Sequence, residues 1–191
     1  MRKLAFLLLL MPLLFACKDD NPNGPDIPSN LNVLNLDAAN FDAPLLPAQT
    51  YISAARFSPS RLAPHVGDDL VSVYYYFKEL PQSAKLNIYT SASGSAPDSL
   101  IYQADLTGYQ GFSWNSHTLS APITIGTDAL WIGIQYTQIS SQRILGCDPG
   151  PAVIDGDWHW DGADSTWTPL NQRTNGVLDI NWNIRAAIDP N

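Results

Sequence analysis

Leu130-Trp131-Ile132-Gly133-Ile134-Gln135-Tyr136 alternates with a period of two. Leu130, Ile132, Ile134 and Tyr136 share one face, and Trp131, Gly133 and Gln135 share the other. Only an extended strand with one greasy side produces that spacing, because successive side chains leave a strand in opposite directions. The same alternation recurs on both sides of it. Val71, Val73, Tyr75 and Phe77 are set against Ser72, Tyr74, Tyr76 and Lys78. Leu86 and Ile88 are set against Lys85, Asn87 and Tyr89, and Leu100, Tyr102, Ala104 and Leu106 continue the series.

Further strands are expected at 32–36, 51–57, 112–119, 123–125 and 177–188. In the last, Leu178, Ile180, Trp182 and Ile184 lie on one side. Pro and Gly turns punctuate these runs about every ten residues, and helical periodicity is absent. Many short alternating strands with such turns predict an all-β fold, a jelly-roll-like antiparallel β-sandwich. Residues 146–175 stand out as a long irregular stretch rich in tryptophan and aspartate.

The N-terminal end predicts an address. Arg2 and Lys3 precede an apolar run from Leu4 to Phe15, then Ala16 and Cys17. That is the order of a secretory signal. Its core is about a dozen residues, where a bilayer span needs about 20. Leu14-Phe15-Ala16-Cys17 resembles the lipobox of bacterial lipoproteins, which implies that Cys17 is lipidated and becomes the new N-terminus. Lys18-Asp19-Asp20 resembles the export signal of Bacteroidota lipoproteins. That implies an outer-membrane anchor, with the protein facing the cell exterior; retention on a periplasmic face is the alternative. The division is a signal peptide over 1–16, a tether over 17–30 and a β-sandwich domain over 31–191. The tether is rich in Asp, Asn, Pro and Gly, with too little apolar surface to offset its ordering entropy.

Composition narrows the partners. The net charge is −8, and removal of Arg2 and Lys3 with the signal takes it to −10. An acidic surface is a poor match for nucleic acid, which is bound through basic patches. It suits neutral sugars or divalent cations. With Cys17 lipidated, Cys147 has no partner for a disulfide and is expected to be a small buried residue.

Two clusters could carry a binding function. Trp158 and Trp160 share a face of an extended segment, Trp167 is near in sequence, and Trp131 points away from its strand's greasy side. Flat aromatic faces of this kind stack on sugar rings; alternatively, they cover the ends of the core. Asp148, Asp155, Asp157 and Asp161, with Asp164 close by, sit in one stretch with no Lys or Arg. Calcium takes six to eight oxygen ligands and loops supply them well. The alternative is a solvated acidic loop held by Asx-turns. Trp114 and Trp182 are expected in the core. His65, His117 and His159 are far apart, with no zinc spacing, no nucleophile elbow and no marked acid pair, so no catalytic role is expected.

The order of several short pieces resembles a known kind of module. Ala55-Arg56-Phe57 precedes Gly67-Asp68-Asp69-Leu70. Lys85-Leu86-Asn87-Ile88-Tyr89, Leu130-Trp131-Ile132-Gly133 and Gly146-Cys147-Asp148-Pro149-Gly150-Pro151 follow. Gly156-Asp157-Trp158, Trp167-Thr168-Pro169-Leu170 and Asn181-Trp182-Asn183-Ile184-Arg185 close the series. This is similar to the jelly-roll, cleaved-adhesin-like modules of secreted Bacteroidota surface proteins. The resemblance implies a non-catalytic binding or adhesion module for a glycan or a surface protein. A structural accessory subunit of an envelope assembly is the alternative.

Overall fold

The computed structural model describes residues 24–191 apart from Ser93 and Ser95. The signal peptide, Cys17 and the first part of the tether lie outside the described residues. Residues 24–31 form no strand, and Gly24, Pro25 and Asp26 line a small groove with Asn40, Tyr76 and Trp114. No helix among the described residues is long and apolar enough to cross a membrane.

Among the described residues, ten strands make two antiparallel sheets. They are β1 (Asn32–Asn35), β2 (Gln49–Phe57), β3 (Asp69–Phe77), β4 (Ser83–Ser91) and β5 (Ser99–Leu106), then β6 (Ser113–Thr124), β7 (Ala129–Gln138), β8 (Trp158–Asp161), β9 (Thr166–Pro169) and β10 (Ile184–Asp189). One sheet runs β1-β10-β3-β6 and the other β5-β4-β7-β2-β8-β9. With the β8–β9 hairpin set aside, the remaining strands have the order of a jelly roll: β1-β10-β3-β6 facing β2-β7-β4-β5. The hairpin extends the second sheet beyond β2. Two one-turn helices, α1 (Pro59–Leu62) and α2 (Leu170–Arg173), sit in connections.

Alternation explains the core. Leu130, Ile132, Ile134 and Tyr136 of β7 face inward beside Tyr51, Ala55 and Phe57 of β2 and Leu86 and Ile88 of β4. Val73, Tyr75 and Phe77 of β3 and Ile184, Ala186 and Ile188 of β10 fill the opposite side. Register shifts interrupt the simple alternation, and one of them moves a side chain out of the core. The β3–β6 pairing slips between Leu70 and Ser72, so Leu70 enters the core and Val71, expected inside, is half-exposed. A bulge moves a side chain to the other face in this way. It also joins the two runs expected at 112–119 and 123–125 into the single strand β6.

The expected strand over 177–188 is real only from Ile184. Residues 177–183 are irregular, though Ile180, Asn181, Trp182 and Asn183 are buried. Here loop carbonyls and a carboxylate satisfy the backbone in place of a ladder: the Trp182 and Asn183 N–H groups reach the Gly156 and Gly146 carbonyls at 2.9 Å. Asp148 accepts the Asn181 N–H at 2.8 Å, and the Ile184 N–H closes a tight turn onto the Trp182 carbonyl at 2.8 Å.

Candidate functional site

The outward face of the six-stranded sheet is where the structure concentrates its aromatic and polar chemistry. Register places Trp131 beside Tyr89 and Arg56, Gly133 beside Asn87 and Ala54, and Trp158 beside Ala54. Gly133 and Ala54 at the centre of this row are small, and a Cβ on Gly133 would come within 2.9 Å of the Ile52 side chain. This low floor lets the β8–β9 hairpin roll back over the sheet. Trp167 of β9 lies four strands from Tyr89 of β4, about 19 Å along a flat sheet. Their ring centroids are 6.1 Å apart. Trp158 and Trp167 close over Trp131 at 4.8 and 5.7 Å, and the Arg56 guanidinium lies 5.6 Å from the Trp131 ring.

Trp131 is therefore 0% exposed, with its indole N–H donated to Ser91 Oγ at 2.9 Å. It was expected to offer a face to a sugar, and this is corrected: the hairpin uses that face for its own packing. Trp158, Trp160 and Trp167 are half-buried. Trp182 is buried as expected and donates to the Trp158 carbonyl at 3.0 Å. Trp114 is half-buried, under the Arg185 guanidinium at 4.7 Å.

The aspartates do not meet as a calcium cage. Among the described residues no three metal-ligating side chains converge. Asp148 is buried and accepts N–H groups of Ala38, Gly150 and Asn181 at 2.8–3.0 Å. Asp155 takes Arg56 and Trp158, and Asp157 takes the Asn171 N–H at 2.8 Å. Asp161 accepts from Gln49 and from the Ala163 N–H, and Asp164 is held by Arg173 at 2.8 Å. Each carboxylate tethers a turn, so its lone pairs serve backbone and arginine donors. The structure therefore does not bring Asp148, Asp155, Asp157 and Asp161 together, as a shared calcium site would require.

A groove of about 550 Å³ opens between the 152–155 turn and α2. Trp158 and Pro169 form its apolar wall, Ile154 its lip, and Asp155, Asp157, Asn171, Gln172 and Asp179 its polar groups. The Asp155 carboxylate fixes the geometry. One oxygen accepts the Trp158 indole N–H at 3.0 Å and the other the Arg56 guanidinium at 2.6 Å. Asp155 has a φ of 74°, an uncommon left-handed conformation that Asp tolerates better than most residues. Burial holds the Asp157 carboxyl above its ordinary range. The Asn171 N–H opposes that shift, and Asp179 and Asp155 add to it.

Sequence reasoning missed the residue that builds the groove's turn. Asn181 is buried. It accepts the Val153 N–H at 2.8 Å, and its amide donates to the Pro151 carbonyl at 3.1 Å and to Asp148 at 3.0 Å. A Cβ on Gly156 would run into the Asn181 side chain, so the turn closes only over glycine. Gly156 was visible in the sequence; its partner, 25 positions later, carried no local signal.

Two other reactive groups are enclosed. Ser53 Oγ lies 3.2 Å from His159 Nδ1, but both residues are buried among Tyr51, Tyr136 and Trp182. The Cys147 thiol is buried and pushed up to about 12, chiefly by burial. No family model matches the chain, and no curated protein is significantly similar to it.

Proposed function

We propose that this chain is a lipid-anchored, outward-facing binding module that holds a glycan in the groove beside Trp158. The observation that carries the reading is the groove itself. A fixed indole forms one wall, and hydroxyl-reading groups converge on it from the 155–157 segment, α2 and Asp179. A sugar ring presents an apolar face to such a wall, while its hydroxyls donate to carboxylates and exchange bonds with amides. Small-ligand sites pair an apolar surface with a few placed polar groups in this way.

Probing a glycan array with the purified full chain tests the reading. Binding that Trp158→Ala and Gln172→Ala both weaken supports it. Gln172 is exposed, so its loss leaves the fold intact. An array silent for the wild-type chain contradicts it. A second reading, an accessory subunit of an envelope assembly, is favoured by β6. It is an edge strand whose twelve residues include no Asp, Glu, Lys or Arg. Edges without charge invite pairing with another chain. Recovery of one stoichiometric envelope protein, lost when Ser116→Lys is introduced on β6, would favour that role.

A further inference from the structure

Ile154 and Asp155 form a wall shared by two grooves. On one side lies the Trp158 groove. On the other is a groove of about 510 Å³ lined by Arg56, Ser58, Ser60 and Arg61 together with those two residues. The shared Asp155 carboxylate joins them physically, since it holds the indole of one groove and the guanidinium of the other.

The second groove has the opposite chemistry to the first. Two arginines face one carboxylate, which leaves one positive charge in a chain whose net charge is −8. Arg56 is matched by Asp155 at 2.6 Å. Arg61 is not matched. Among the described residues, Arg56, Lys78, Lys85, Arg143, Arg173 and Arg185 each have a carboxylate within 4.0 Å. Arg61 alone has none; it is exposed and reaches only the Asn35 carbonyl, at 3.4 Å. Acidic side chains outnumber basic ones 18 to 10 here, so a cation without an acid runs against the composition.

The hydroxyls beside it are also uncommitted. Ser58 sits at the start of α1 but makes no capping bond; its Oγ meets Ser60 Oγ at 3.0 Å. Two hydroxyls own two protons. Their mutual bond uses one, so the pair can still donate the other. A free guanidinium fork beside a hydroxyl donor suits the oxygens of a carboxylate or sulfate group.

We propose that the glycan held beside Trp158 carries an anionic substituent, a uronate carboxylate or a sulfate ester, which lies over Arg61 with Ser58 and Ser60. The sugar crosses the ridge at Ile154, whose side chain is 90% exposed. This rests on the glycan reading above and narrows it to acidic saccharides.

The probes are polygalacturonate, a sulfated galactan and their uncharged counterparts, methyl-esterified pectin and desulfated galactan. Each is titrated into the purified full chain, into Arg61→Ala and into Arg61→Lys. The expected result is tighter binding of an acidic polymer than of its neutral counterpart, weakening with salt. Loss of a charge-assisted bond in Arg61→Ala should weaken it by about tenfold, with partial recovery in Arg61→Lys. Which acidic polymer binds separates carboxylate from sulfate. Equal binding of neutral and acidic polymers, unmoved by Arg61→Ala, overturns this inference and leaves the glycan reading standing. No binding of any of the four, with a silent glycan array, overturns both.

Discussion

His159 shows how burial turns one side chain into a pH dependence. It stacks near Trp182 and Tyr51, and its pKa is driven down to about 4, chiefly by burial, with Arg173 adding to the effect. The unfolded chain takes up this proton near pH 6.5, the folded chain only near pH 4. Stability is therefore full above pH 6.5 and is lost as the pH falls toward 4, by about 3 kcal/mol in all. Asp37 and Asp157, both raised by burial, act in the opposite sense: their contribution is lost as pH rises through their folded values. Urea unfolding of the wild type and His159→Phe at pH 7 and pH 5 isolates the histidine. The wild type should lose more stability than the variant; equal losses would count against the assignment. Trp131 makes a second case. Its truncation to Ala removes a fully buried ring under two other tryptophans and should cost about 3–5 kcal/mol in the same measurement.

The hairpin of β8 and β9 is the element that gives the jelly roll its groove. It rolls over the sheet because Gly133 and Ala54 leave a low floor beneath it. Gly133→Val would force Ile52 and the hairpin outward and should cost about 1–3 kcal/mol, seen as a lower Tm. An unchanged Tm would mean that the hairpin does not press on that floor. The candidate calcium ligands Asp148, Asp155, Asp157 and Asp161 do not converge on one point. Millimolar calcium or a chelator should therefore leave the Tm where it is, and a rise of several degrees with calcium would contradict the carboxylate geometry. Strands with one greasy face, such as β7 and β4, were legible in the sequence because burial on one side imposes a period of two. The hairpin was less so: Trp158 and Trp160 were seen to share a face, but nothing local said which surface that face would meet. The stretch 177–183 misled because its apolar residues alternate, while its backbone pairs with the Gly146 and Gly156 loops rather than with a neighbouring strand. Of the site, the aromatic and acidic residues were legible as types. Their division into buried Trp131, groove-lining Trp158 and turn-holding aspartates is tertiary, set by contacts as much as 112 positions apart.

At the scale of the molecule, the two sheets act as a rigid mount for one groove system. Gly146 shows how closely the connecting loops are seated on that mount. A Cβ there would approach Asn40 and Tyr76 to 2.7 Å and Asn183 to 2.9 Å. The proposed lipid at Cys17 would hold this mount to a membrane through the 17–30 segment. A Cys17→Ser chain should leave the membrane fraction while keeping its fold, and retention in that fraction would remove the anchor from the account. The central claim is narrower: a saccharide occupies the groove beside Trp158. Titration calorimetry of the strongest array ligand against the wild type, Trp158→Ala and Gln172→Ala tests it most directly. Affinity should fall in both variants while Gln172→Ala keeps the wild-type Tm. Wild-type affinity in both, with each variant folded, would place the ligand elsewhere and contradict the account.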